Sequence, residues 1–81
     1  MATLKEVPTE KLADKITVTP GVRSGQPIIR GTRTTVADIL SLLASGASES
    51  EILEDFPWLK SEDIRAALEY AANELREKTA Q

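Results

Sequence analysis

From residue 35 onward, apolar side chains recur with a helical period. Val36, Ile39, Leu40 and Leu43 follow one another at i, i+3, i+4 and i+7, one full stripe along a helix. Thr35-x-x-Asp38 ahead of them has capping-box spacing, and Gly46 behind them suits the left-handed residue that often ends a helix. The pattern predicts a first helix over 36–45. Ser48-x-x-Glu51 is a second capping box, with Ile52, Leu53 and Phe56 as the apolar face. Pro57 lacks an N–H and restrains the residue before it, so the second helix is predicted over 49–55. After Trp58-Leu59-Lys60, Ser61 is expected to cap a third helix over 62–77. Its stripe is Ile64, Ala67, Leu68, Ala71 and Leu75, with acids in its first turn and Arg76 and Lys78 in its last.

Upstream the pattern changes. Ile16-Thr17-Val18-Thr19 carries alternating β-branched residues, Pro20-Gly21 and Ser24-Gly25-Gln26-Pro27 read as turns, and Ile28-Ile29 as a second short strand. Two such strands are marginal alone and need the helices or a second subunit to lie on. Residues 1–14 have no clean period and are expected to be a tail, either a short helical turn or disordered. The expected domain is thus 15–78. It is mainly α, a three-helix, helix-turn-helix (homeodomain-like) core preceded by a β-hairpin arm over 15–35. Three apolar stripes joined by short loops close one core as a trihelical cluster. The expected core is Ile39, Leu40, Leu43, Ile52, Leu53, Phe56, Leu59, Ile64, Leu68 and Leu75.

Composition narrows the function. The chain has 81 residues and neither Cys nor His, which removes disulfides, Cys/His metal sites and the usual nucleophile–base pairs. No phosphate loop or dinucleotide fingerprint is present. Adjacent acids such as Glu54/Asp55 and Glu62/Asp63 point to different helix faces and read as solvated charge. No catalytic, cofactor-binding or metal-ligating residue is therefore expected, and no enzyme activity. With no apolar run of membrane length and no secretory leader, the expected location is cytoplasmic. A core this small gains from oligomerisation, so a homodimer is expected.

Charge is unevenly spread. The net charge is −3, yet residues 15–37 hold Lys15, Arg23, Arg30 and Arg33 with no acid, while residues 38–81 hold four bases against ten acids. Arg and Thr beside Gly suit phosphate contact, which makes Arg23, Arg30, Thr32 and Arg33 candidate DNA-binding residues, with Arg65 as the early base of the third helix. The opposing reading is that these arginines pair with the acidic body of the same chain or of a dimer mate. Trp58 either covers the core or anchors a protein interface, with Glu62 and Tyr70 as further interface candidates.

The run Gly25-Gln26-Pro27-Ile28-Ile29-Arg30-Gly31-Thr32-Arg33, continued through Gly46, Ser48, Phe56-Pro57 and Ile64-x-Ala66-Ala67-Leu68, resembles the family known as domain of unknown function 433, over roughly residues 16–72. The resemblance implies a homeodomain-like or winged-helix-like fold. It also implies a role like that of short prokaryotic antitoxins of the VapB type, which mask a PIN-like ribonuclease toxin and repress their own operon through DNA. The alternative is a dimeric protein–protein adaptor with no nucleic-acid role.

Overall fold

The structure, a computed structural model, describes Leu12 and residues 14–79. Of the expected N-terminal tail, everything but Leu12 and Asp14 lies outside the described residues. Two strands, β1 (Ile16–Val18) and β2 (Pro27–Ile29), form an antiparallel pair with Ile16 opposite Ile29 and Val18 opposite Pro27. Three helices follow: α1 (Val36–Ala44), α2 (Glu49–Asp55) and α3 (Ser61–Thr79). The chain is thus a small, mainly helical domain with a β-hairpin ahead of its three helices.

Local chemistry accounts for most boundaries. Both capping boxes form: the Thr35 hydroxyl accepts from the Asp38 N–H at 2.8 Å, and the Ser48 hydroxyl from the Glu51 N–H at 3.1 Å. Each acid returns the bond to the backbone N–H of its cap residue. At the end of α1, Gly46 takes φ 103°. Its N–H then bonds to the Leu43 carbonyl, and the Ala47 N–H reaches the Leu42 carbonyl. This paired closure satisfies two carbonyls that the helix leaves open. It also places Ala47 against the core. Phe56, ahead of Pro57, leaves helical geometry at φ −125° and ψ 73° and stops α2.

The start of α3 departs from expectation. Ser61 is not its cap. The Asp63 carboxylate instead accepts from the Lys60 N–H at 2.9 Å, which makes Lys60 the cap residue and starts the helix at Ser61. The Ser61 hydroxyl turns to the Glu49 carboxylate and ties α3 to the first turn of α2. Asp63 is almost fully buried and also faces Lys15 at 3.7 Å, so one carboxylate both caps α3 and anchors the base of the arm.

The core lies where α1 crosses α3, with α2 and the hairpin closing its sides. Ile39, Ile52, Leu59 and Ile64 are buried as expected, and Leu40, Leu43, Leu53 and Phe56 pack half-buried around them. The arm adds Ile16 and Ile29, and Leu12 joins from the N-terminal side. Two expected core residues lie outside it: Leu68 is 46% exposed and Leu75 63%. The buried face of α3 runs through Ile64, Ala66 and Ala67, and the small side chains of the two alanines leave room for α1. Leu68 sits on the flank of that face. Leu75 lies toward the far end of α3, whose nineteen residues span roughly 28 Å against about 14 Å for the nine of α1.

The two positions separate cleanly in a stability measurement. Ile39→Ala, at a site with no exposure, is expected to cost about 2–5 kcal/mol. Leu68→Ala is expected to cost less than about 1 kcal/mol. Urea unfolding of each variant checks the contrast.

Candidate functional site

The hairpin connector carries the least ordinary backbone in the chain. Arg23 (φ 48°), Ser24 (φ 61°) and Gly25 (φ 76°) are consecutive left-handed residues within a single short turn. For the two non-glycine residues this conformation costs on the order of 1–2 kcal/mol each. The contacts of the Arg23 guanidinium offset part of that cost. It donates to the Arg33 carbonyl at 2.7 Å and to the Asp38 carboxylate at 3.3 Å. A second turn lies opposite. The Thr32 N–H closes on the Ile29 carbonyl at 3.0 Å, with Gly31 at φ 82° in the third position, where a side chain would be strained. The Thr32 hydroxyl donates to the same carbonyl and accepts from the Thr34 N–H.

Between these turns and the end of α2 lies a pocket of about 470 Å³. Its aromatic wall is Trp58, 54% exposed, whose ring centroid stands 5.5 Å from that of Phe56 in an edge-on arrangement. The indole N–H donates to the Thr34 hydroxyl at 3.1 Å, which fixes the ring plane. Arg23, Arg33, Thr32 and Asp38 supply the polar lining. Asp38 titrates below its ordinary value of 3.8, chiefly because it accepts the Thr35 N–H. Partial burial opposes that effect, while the Thr35 hydroxyl and the Arg23 charge add to it.

Three of the candidate DNA-binding residues, Arg23, Thr32 and Arg33, come together at this pocket. Arg30 and Arg65 do not line it. Arg30 donates to the Asp14 carbonyl at 2.7 Å and closes the open end of the hairpin, while Arg65 projects from the exposed side of α3. Among the described residues, the side chains of Arg33 and Arg65 make no hydrogen bond or ion pair, so they are the two cations of the set with unspent charge. Of the interface candidates, Trp58 forms the pocket wall, whereas Glu62 and Tyr70 lie half-buried on α3 away from it. The Tyr70 phenol is pushed up by burial and by the nearby Glu74 and Glu77. Sequence reasoning assigned Asp38 to a cap and Phe56 to the core and did not place either at a site. The Thr34–Trp58 bond spans 24 positions, and no local pattern announces it.

Comparison with known proteins gives one family. Residues 16–71 match the family described as a protein of unknown function (DUF433). An uncharacterised protein of Sinorhizobium fredii, y4eO, is 44% identical over 62 residues, which cover 75% of this chain and 28% of that protein. The chain therefore spans little more than a quarter of that curated relative. A crystal structure of a DUF433 member from Anabaena variabilis superposes with a TM-score of 0.71 at 35% identity, over 89% of this chain and 74% of the other.

The depressed titration of Asp38 has a signed consequence. Its contribution to stability is complete above the unfolded value near 3.8 and is lost as the pH falls through the lower folded value. Asp38→Asn is expected to lower the melting temperature at neutral pH and to flatten the acid limb as the pH falls below the ordinary value of 3.8. Thermal melts of both proteins across that range read it directly.

Proposed function

The chain belongs to the DUF433 family of proteins of unknown function, and within it we propose a non-catalytic regulator of the antitoxin kind. In this reading it masks a PIN-like ribonuclease toxin and contacts the DNA of its own operon as a homodimer. The observation that carries the reading is the separation of charge. The exposed surface of α2 offers Glu49, Glu51, Glu54 and Asp55 without a single base. Such a face suits a basic nuclease and repels DNA. DNA contact then falls to the opposite charge, at Arg33, Thr32 and Arg65, because Arg23 and Arg30 are committed to contacts inside the chain. The helix–Gly46–helix corner supports the same reading, since tight bihelical corners recur in DNA-binding domains.

That commitment of Arg23 and Arg30 also favours a second reading, the dimeric protein–protein adaptor without nucleic-acid binding. The two readings part on one variant. Arg33→Glu combined with Arg65→Glu alters only exposed cations, so the fold is expected to persist by circular dichroism. If the domain binds DNA, fluorescence anisotropy with its own upstream DNA shows affinity that falls steeply between about 50 and 200 mM salt, and the variant weakens it by about tenfold or more. Absence of any such binding, together with co-purification of a non-nuclease partner, selects the adaptor. Inhibition of RNA cleavage by a co-purifying ribonuclease selects the antitoxin.

A further inference from the structure

The pocket at the end of α2 is an open cleft, walled on one side by aromatic rings and lined by charged and hydroxyl groups. Its volume of about 470 Å³ lies within the range of roughly 300–1,000 Å³ that small-molecule sites occupy. Three of its groups retain unused capacity. The Trp58 indole is held in plane by Thr34 and Phe56 yet stays more than half exposed, so it is a preset stacking surface. The Arg33 guanidinium has no partner among the described residues. Asp38 spends only Oδ2 on Thr35 and Arg23, which leaves Oδ1 as an open acceptor.

We propose that this pocket binds a nucleotide whose base carries an exocyclic amine. The base stacks on Trp58, the amine donates to Oδ1 of Asp38, and the phosphate sits on Arg33. Each part follows from ordinary chemistry. Every base offers a π-face to an aromatic ring. A carboxylate accepts from an exocyclic amine. The guanidinium fork matches phosphate geometry. The charge of the lining agrees, since Arg23 and Arg33 outweigh the one carboxylate. The same chemistry is available from a free mononucleotide and from a nucleotide within a single strand. The exposed acids Glu54 and Asp55, which lead directly into Phe56, disfavour a long polyanion, so the free mononucleotide is the occupant expected. The site shares Arg33 and Thr32 with the surface that the regulator reading places against DNA, but it does not rest on that reading: a mononucleotide titration is read with no DNA present, so either can fail while the other stands.

Trp58 is the only tryptophan, so its fluorescence reports on this pocket alone. The full chain is titrated with adenosine monophosphate, uridine monophosphate, inorganic phosphate and a short single-stranded oligoadenylate, with calorimetry in parallel. Adenosine monophosphate is expected to quench Trp58 saturably with a Kd below about 1 mM. The uridine compound is expected to bind at least about fivefold more weakly, and phosphate alone to leave the fluorescence unchanged. An oligoadenylate that binds no tighter per site than the monomer marks the free nucleotide as the source. Tighter binding marks the strand, through the same contacts. Arg33→Ala is expected to weaken binding about tenfold with the circular dichroism spectrum unchanged. The proposal is overturned if adenosine monophosphate does not saturate, if Arg33→Ala has no effect, or if the two monophosphates bind alike.

Discussion

The Asp38 carboxylate is the point on which arm and helices meet. It accepts the N–H of Thr35 and so closes the first turn of α1, and with the same oxygen it accepts the guanidinium of Arg23, fifteen residues upstream. The second bond holds a turn that its own residues disfavour. The Arg23 guanidinium also grips the carbonyl of Arg33, so the two turns flanking the pocket are fastened to each other and to the start of α1. Lys15 and Asp63 do the corresponding work at the far end of the hairpin, where the arm meets α3. Two strands of three residues each have little stability of their own. These two carboxylates fasten them to the helical body together with Ile16 and Ile29 in the core and the bond from the Ile29 N–H to the Thr34 carbonyl.

Much of this was legible in the sequence, for identifiable reasons. Capping boxes, a glycine one residue past a helix cap and a proline after a helix are local devices, and their chemistry acts within four or five residues. The helices accordingly lie within a residue or two of where the pattern put them. The core was read less well at its distal end. Leu68 and Leu75 share the apolar period of α3 with Ile64, but periodicity says which side of a helix is apolar and not how far its neighbours extend along it. Ala66, which no apolar stripe singled out, is almost fully buried because a small side chain is what a close helix crossing requires.

The site was legible only in part. Composition and spacing drew attention to Arg23, Thr32, Arg33 and Trp58, and these four meet at one pocket. Their division of labour was not readable. A guanidinium that stabilises a strained turn and one that points to solvent look identical as letters. The difference arises from where Asp38 and the Arg33 carbonyl stand in three dimensions. Basic segments in small domains thus serve two ends at once, and counting their charge overstates what remains for a ligand.

The two halves of α3 differ in how they are held. Its first half is held by Ile64, Ala66 and Ala67 in the core, while from Leu75 to Lys78 its side chains are exposed. An isolated helical segment of that length is only marginally formed in water. The docked half meets the cost of nucleation for the exposed end, which is expected to open at a lower free energy than the whole domain. A probe placed beyond Glu74 is then expected to sense fraying of α3 ahead of the global unfolding that a probe beside Ile64 reports.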